Sequence, residues 1–367
     1  MTAKKTKRPT DIGLIQELSL AFGPTGCEDE VADLIEKRIA SVADSYYRDR
    51  MGNVITVMRF DGESDGTAKA RKKLMISAHM DEVGFMITEV CEDGYLKFGT
   101  VGGIDPSVMA GRRIILESDG GHMCGLIASK AIHHKSKDDR KKVTPADKLH
   151  IDIGASSREE ALRYADIGTY ATFDSEFVLF GTDGRRVKCK ALDDRMGCAA
   201  MIEVMKSLAA DRPKVALDVY FCFTVREEIG LSGASVAANT IAPDMAIVLE
   251  TTAVGDIADT EPSCRVAEQG KGGALSLMDR STVYDRRFAQ YMLDTAAKCE
   301  IPVQIKKYVS GGNDAGNIHK TGTGVRVAAL SVPTRYLHSA ACAASLDDYD
   351  AVRDLTEAAV RNFNADI

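Results

Sequence analysis

The chain has 367 residues, 45% hydrophobic and 28% charged, a composition typical of a globular protein rather than a disordered or fibrous one. At roughly 100–200 residues per domain, this length predicts two domains. The formal net charge of −7 argues against a nucleic-acid-binding or membrane-surface protein, because both classes require clusters of Lys and Arg.

The spacing of apolar residues predicts most of the secondary structure. A helix is expected from Asp11, with Thr10 as its N-cap, because apolar side chains recur there every three or four residues. In chain order the principal predicted elements are helices over Asp11–Phe22 and Glu28–Val42, strands over Asn53–Phe60 and Leu74–Ala78, a helix over Met196–Ala210, a strand over Ala216–Val225, a helix over Ser232–Ile241, a strand over Met245–Leu249, a helix over Tyr284–Glu300, a strand over Gly324–Val332 and a helix over Leu346–Phe363.

The segment from Gly84 to about Gly184 differs from the rest of the chain. It consists of short β-like pieces separated by Gly-rich turns, and few helices are predicted in it. We therefore predict a β-rich domain over residues 85–184, inserted into a larger domain formed by 1–84 and 185–367. In the larger domain apolar strands alternate with helices, which indicates an α/β fold with a mainly parallel sheet covered on both faces.

The cysteines and the N-terminus suggest a location. The nine cysteines contain no C-x-x-C pair, and several lie in apolar runs, as reduced thiols do in a reducing compartment. No signal-like apolar stretch follows the basic N-terminus, and no run approaches the ~18–20 apolar residues that a membrane span requires. We expect a cytoplasmic protein.

Metal-binding residue types occur at the ends of the predicted strands. The carboxyl ends of parallel strands meet at one edge of a sheet, where ligands bind. The residues expected at this edge are His79 after Leu74–Ala78, Asp193 before the Met196–Ala210 helix, Glu227 and Glu228 after Ala216–Val225, Glu250 after Met245–Leu249, and His338 after Gly324–Val332.

Such a group of imidazoles and carboxylates predicts a metal site. Zn²⁺ binds both ligand types, and carboxylates also accommodate Mn²⁺ or Co²⁺. There are enough ligands for two metals sharing one carboxylate, at a separation of roughly 3.5–4 Å that is typical of hydrolases. Asp81, two residues past His79, could accept the second ring N–H of His79. Taken singly, His79 could be a core histidine, the Glu227–Glu228 pair a helix start, and His338 a turn residue.

Seven segments of the chain form a recognisable set: Ser77–Gly84, Val101–Asp105, Leu149–Ala155, Ala191–Cys198, Glu227–Ala234, Gly311–Ala315 and Pro333–Ser339. Together they resemble the tetrahedral aminopeptidases, the glutamyl aminopeptidase group that forms metallopeptidase family forty-two. The resemblance covers nearly the whole chain from about Asp11.

The resemblance implies an α/β catalytic domain interrupted by a β-rich dimerisation domain. It implies removal of N-terminal residues from short peptides, and assembly of dimers into a hollow tetrahedral dodecamer. For the site it implies the following roles: His79 and Glu250 on one metal, Glu228 and His338 on the other, Asp193 bridging both, Glu227 as catalytic base, Asp81 as support for His79, and a cis Asp193–Asp194 peptide bond.

Two positions depart from the family pattern. Glu250 stands where an aspartate is common, and Asn313 replaces a more usual threonine before Asp314. The expected mechanism is attack by an activated water on the first peptide bond, with Glu227 moving the proton. A deacylase or carboxypeptidase on the same scaffold, and a catalytically silent assembly protein, are the alternatives.

The preferred N-terminal residue is not readable from the motifs. A pocket for an acidic side chain would need a cation, and each basic residue near the motifs could equally be an ion-pair partner. These basic residues are Arg195, Arg226, Lys271 and Arg335.

Overall fold

The computed structural model describes residues 8–62, 71–118, 121–307, 309 and 311–364. The Gly- and charge-rich segment Asp61–Lys73 is predicted to be a loop, and it lies largely outside this part of the chain. The helices are α1 Ile12–Leu20, α2 Asp29–Ile39, α3 Arg158–Ala161, α4 Leu192–Ala210, α5 Ser232–Ile241, α6 Arg286–Lys298, α7 Ala315–Ile318 and α8 Leu346–Arg361. The strands are β1 Ser45–Arg48, β2 Val54–Asp61, β3 Lys72–His79, β4 Gly84–Val90, β5 Leu96–Val101, β6 Arg113–Ser118, β7 Gly121–Ala128, β8 His150–Asp152, β9 Tyr170–Phe173, β10 Val178–Phe180, β11 Arg186–Cys189, β12 Ala216–Thr224, β13 Met245–Ala253, β14 Gly273–Leu275, β15 Val303–Ile305, β16 Arg326–Arg335 and β17 Cys342–Ser345.

Four parallel strands form the centre of the large sheet, in the order β12, β3, β13, β16. Antiparallel strands extend the sheet on both sides, with β2 and β1 beyond β12, and β17, β11 and β10 beyond β16. The short strands β14 and β15 branch from β16. The predicted α/β class with a mainly parallel sheet is confirmed, and the antiparallel flanks add to it.

Helices cover both faces of the sheet, which explains why its central strands are continuous apolar runs. In β3, Leu74 and Ile76 pack on one face in a core shared with α1, α2, α4, α6 and α8. Met75 points to the opposite face, where the core includes residues of α5 and α7. All three side chains are almost fully buried.

Six further strands pair with one another in a closed barrel, in the order β4, β5, β8, β7, β6, β9. It has its own apolar core, in which Phe85 makes edge contacts with Phe98 and Phe173 at ring-centroid distances of 5.2 Å. Except for Gly84, the first residue of β4, all six strands lie inside the segment predicted as an inserted domain. Strand β10 also falls within 85–184 but pairs with β11 in the large sheet, and the domain boundaries stay a prediction.

Some predicted element ends differ from the observed ones. Asp11, not Thr10, caps α1, because its carboxylate accepts a hydrogen bond from the Leu14 N–H at 3.0 Å. Strand β13 continues to Ala253, so Glu250 lies inside this strand instead of after it. Within the described residues, no helix combines the length and apolar character needed to cross a bilayer.

Candidate active site

The parallel strands bring the predicted ligands to one edge of the sheet. His79 is the last residue of β3, and Glu250 lies near the end of the neighbouring β13. Glu228 follows β12 by four residues, His338 follows β16 by three, and Asp193 lies in the first turn of α4. Because β12, β3, β13 and β16 run in the same direction, their ends converge, and these five side chains form two overlapping groups.

The first group contains His79, Asp193 and Glu250. The His79 Nε2 atom lies 3.3 Å from Asp193 Oδ1 and 3.5 Å from Glu250 Oε1. Glu250, which stands where the family commonly has an aspartate, thus lies beside the same imidazole as Asp193. All three residues are buried.

The second group contains Asp193, Glu228 and His338. The His338 Nε2 atom lies 3.3 Å from Glu228 Oε1 and 3.5 Å from Asp193 Oδ2. The two oxygens of Asp193 thus face different histidines, as a bridging carboxylate requires. The Asp193–Asp194 peptide bond is cis, as the resemblance implied.

His338 is held by a loop of the barrel segment. Its Nδ1 atom lies 2.6 Å from the carbonyl oxygen of Gly103, which leaves Nε2 directed at the carboxylates. The preceding Gly102 has φ +81°, and a Cβ atom there would meet Val83 at 2.8 Å and Glu228 at 3.3 Å. Only glycine allows this loop to approach the site so closely.

Asp81 contacts other parts of the site in addition to His79. The His79 Nδ1 atom lies 3.0 Å from the main-chain carbonyl of Asp81 and 3.4 Å from its carboxylate Oδ1. The carboxylate accepts hydrogen bonds from the Glu227 N–H at 3.0 Å, the Glu228 N–H at 3.2 Å and the Thr25 hydroxyl at 2.8 Å. Asp81 therefore joins a ligand histidine to the segment that carries Glu227 and Glu228.

The charges of the site are unbalanced without a cation. Burial and neighbouring carboxylates raise the pKa of Glu228 to about 7 and raise that of Glu250 well above its usual range. Burial opposes protonation of His338, but Asp193 and Glu228 raise its pKa to about 9. Burial also opposes protonation of His79, but the nearby carboxylates of Glu250 and Asp193 outweigh this effect and raise its pKa. The protein groups alone would thus retain protons on both imidazoles.

A divalent ion fits this donor set. The buried Asp193 Oδ1 has no hydrogen-bond partner among the described residues, although it faces the His79 ring. Imidazole nitrogen and carboxylate oxygen are ligands of zinc and related metals, and positive charge removes the need for protonated histidines. A divalent metal centre therefore accounts for the arrangement.

Glu227 lies beside the two groups. It belongs to a third potential ligand cluster with His79 and Glu228, and it faces the cavity in front of the site. Burial is the main cause that raises its pKa well above the usual value, with further contributions from Glu250 and Glu228. A half-buried carboxylate with raised proton affinity beside a metal centre is suited to accept a proton from water.

The cavity in front of the site has a volume of about 540 Å³. Lys306, which follows the unpredicted strand β15, lines it, and the sequence reasoning missed this residue. The four basic candidates named from the sequence are absent from its lining. Arg195 is buried and donates to the carbonyl groups of Leu18 and Gly23, and Arg335 pairs with Asp256 at 2.8 Å.

Comparison with known proteins agrees with this geometry. Residues 60–355 match the M42 glutamyl aminopeptidase family. The lysyl aminopeptidase of Pyrococcus furiosus is 32% identical over 353 residues, covering 95% of this chain and 96% of the relative.

Solved structures show the same fold over almost the whole chain. The TET aminopeptidase of the marine sediment archaeon Thaumarchaeota archaeon SCGC AB-539-E09 superposes with a TM-score of 0.90 at 32% identity, covering 96% of each chain. The TET1 peptidase of Pyrococcus horikoshii, which can assemble into a tetrahedron or a large octahedral shell, gives a TM-score of 0.83 at 32% identity, covering 96% of this chain and 99% of that one. The chain therefore belongs to the M42 glutamyl aminopeptidase family and is a metal-dependent aminopeptidase.

Proposed function

We propose that this aminopeptidase removes N-terminal residues from short peptides with two divalent ions bound per subunit. His79 and Glu250 would hold one ion, Glu228 and His338 the other, and Asp193 would bridge them. The observation that carries this proposal is the position of Asp193, whose two oxygens lie 3.3 and 3.5 Å from the Nε2 atoms of different histidines. Zn²⁺, Co²⁺ and Mn²⁺ are all compatible with these ligands.

The catalytic base in this proposal is Glu227. When bound, the ions supply positive charge that polarises the scissile carbonyl group and acidifies water. Glu227 accepts the proton of the attacking water and returns it to the leaving amine, which its raised proton affinity favours. Asp81 keeps Glu227 in place through the main-chain N–H, and the acidic lining of the cavity favours a substrate with a free α-ammonium group.

Assembly and location belong to the same proposal. We propose that the segment 85–184 forms a dimerisation domain, and that dimers assemble into a tetrahedral dodecamer. Relatives named as TET peptidases, including one that forms a tetrahedron, support this assembly. The cytoplasmic location stays a prediction from the cysteine pattern.

The function is tested by metal reconstitution. Protein stripped of metal by a chelator should be inactive on aminoacyl p-nitroanilides, and Zn²⁺, Co²⁺ or Mn²⁺ should restore turnover. N-acetylated versions of the same substrates should stay uncleaved. Cleavage of the blocked substrates would indicate a deacylase or another peptidase, and silence on every substrate despite bound metal would refute the aminopeptidase proposal.

The roles within the site are tested by a matched pair of variants. Glu227→Gln should retain both ions, measured by elemental analysis, while turnover falls by about 10²–10⁴-fold as general-base catalysis is lost. Glu228→Gln should instead lose metal, because its carboxylate is a proposed ligand. Near-wild-type turnover of Glu227→Gln would remove Glu227 from the mechanism.

A further inference from the structure

Two segments carry the chain between the large sheet and the barrel, and both adjoin ligands of the proposed metal site. Residues 80–83 lead from β3 into the barrel and directly follow His79. Residues 174–191 lead from the barrel strand β9, through β10 and β11, to α4, whose first turn contains Asp193. The relative position of these two segments therefore determines where Asp193 lies with respect to His79.

A buried ion pair joins the two segments. The ammonium group of Lys190 donates to Glu82 Oε1 at 2.5 Å and to the carbonyl oxygen of Ala21 at 2.9 Å. The other carboxylate oxygen of Glu82 accepts a hydrogen bond from the Thr172 hydroxyl of β9 at 2.8 Å. Lys190 and Glu82 are each only 2% exposed, so the pair is almost completely removed from water.

Buried cations flank Asp193 in the sequence, with Lys190 three residues before it and Arg195 two residues after it. The Arg195 guanidinium lies 3.7 Å from the same Glu82 oxygen and donates to two main-chain carbonyl groups at the end of α1. Between Lys190 and Asp193, Ala191 has φ +50°, a left-handed conformation that is unfavourable for alanine and must be held by its surroundings. The two cations hold this strained segment on both sides.

The main chain of Lys190 connects the same segment to the second ligand histidine. Its N–H donates to Ser175 Oγ at 3.1 Å, and the Ser175 hydroxyl donates to the carbonyl oxygen of Ala340, two residues past His338, at 2.7 Å. Lys190 and Glu82 also line a cavity of about 10 Å³ whose other walls include all three residues of the second metal group. This space holds at most about one water molecule, so the ion pair lies close to that group.

We propose that Lys190 is a positioning residue, which holds Asp193 in the geometry of a bridging ligand through its ion pair with Glu82. This inference rests on the proposed function, because it assigns a role towards the two ions described above. Replacing a buried ion pair by neutral side chains is often neutral for stability, so stability alone does not account for this lysine. Its contacts do account for it, since they connect the segments that carry His79, Asp193 and His338.

The test compares wild-type protein with Lys190→Met, which removes the ammonium group and keeps a side chain of similar length. Glu82 retains Arg195 and the Thr172 hydroxyl as partners in this variant, so we expect it to fold. Chelator competition should show that metal affinity falls by about 10–100-fold. At saturating metal, kcat for an aminoacyl p-nitroanilide should fall at least about tenfold while KM changes by less than about twofold. The visible absorption spectrum of Co²⁺-loaded protein should also change.

Arg353→Met is the matched control, because it also breaks a buried ion pair to α4. The Arg353 guanidinium pairs with Glu203 of α4 at 3.0 Å, and neither residue lines a cavity of the site. Once folded, this variant should be less stable but should keep the metal affinity, kcat and Co²⁺ spectrum of the wild type.

Glu82→Gln tests the ion pair from its other side, and it carries the test if Lys190→Met does not fold. Its amide oxygen can still accept from the Thr172 hydroxyl, and metal affinity should fall by a similar factor. The double variant should bind metal no more weakly than either single variant, because the partners of one ion pair act non-additively.

The outcomes distinguish this inference from the proposed function. A wild-type protein that binds metal but cleaves no free-amine substrate would refute the aminopeptidase mechanism, while the metal affinities would still decide the role of Lys190. Wild-type metal affinity and an unchanged Co²⁺ spectrum in folded Lys190→Met or Glu82→Gln would overturn that role. An equal loss of metal affinity in Arg353→Met would also overturn it, because any weakening of α4 would then suffice.

Discussion

Replacing Asp81 by Asn should weaken both the fold and the metal centre. The carboxylate of Asp81 is fully buried and accepts hydrogen bonds from the Glu227 N–H, the Glu228 N–H and the Thr25 hydroxyl. An asparagine amide oxygen can keep the bond to Glu227, but its NH₂ group then faces the Glu228 N–H. One charge-assisted bond is lost, at about 1.5–3 kcal/mol, and one partly buried N–H is left unsatisfied, at about 1–3 kcal/mol.

The free energy of unfolding of metal-free protein should therefore fall by about 3–5 kcal/mol, a large part of the ~5–15 kcal/mol typical of a folded protein. Metal affinity should also fall, by about 10–100-fold, because Asp81 orients His79 and the segment carrying Glu228. Urea unfolding measures the first effect, and chelator competition on folded protein measures the second.

Asp285→Asn is the matched control for Asp81→Asn, because both variants replace a carboxylate that accepts a hydrogen bond from a main-chain N–H. Asp285 caps α6 by accepting from the Phe288 N–H at 2.8 Å, and Asn is as good an N-cap as Asp. Asp285→Asn should thus change stability by less than about 0.5 kcal/mol and leave metal affinity unaltered. An Asp81→Asn variant that resembled this control in both measurements would refute the supporting role of Asp81.

Two further predictions concern buried charges away from the active site. Arg353 is fully buried and pairs with Glu203 and Asp350 at 3.0 Å. Arg353→Met should therefore lower the free energy of unfolding by about 3–5 kcal/mol, because it leaves buried carboxylates without their partner. Adding Glu203→Gln should recover part of this loss, as measured by urea unfolding in a double-mutant cycle. Burial raises the pKa of Asp348 from 3.8 to about 6, despite hydrogen bonds from the Gly270 and Gly272 N–H groups. The folded state therefore binds the Asp348 proton more tightly than the unfolded state does. This proton stabilises the fold fully below about pH 4, and the stabilisation is lost as the pH rises to about 6. The free energy of unfolding should fall by about 3 kcal/mol over this range and stay constant above it. Asp348→Asn should remove this slope from urea-unfolding free energies measured between pH 4 and 7, and an identical slope in both proteins would contradict the assignment.

The sequence by itself was sufficient for the fold class and for the residues at the sheet edge. The strands around Ile76 and Ile247 are short, continuous apolar runs, and such runs predict buried parallel strands whose carboxyl ends meet. His79 and His338 could be selected because they follow the predicted strands Leu74–Ala78 and Gly324–Val332. The chemistry of imidazoles and carboxylates at one edge then indicated metal before any distance was known.

The tertiary structure decided the features that depend on contacts between distant segments. Strands β14 and β15 have three residues each, too few for a periodic pattern, so the sequence could not bring Lys306 to the cavity. The antiparallel flanks of the sheet follow from pairings across long stretches of chain, which local spacing does not encode. Asp81 is similar: its position next to His79 suggested one partner, but its hydrogen bonds to Glu227 and Glu228 exist only because β3 and β12 are neighbours in the folded sheet.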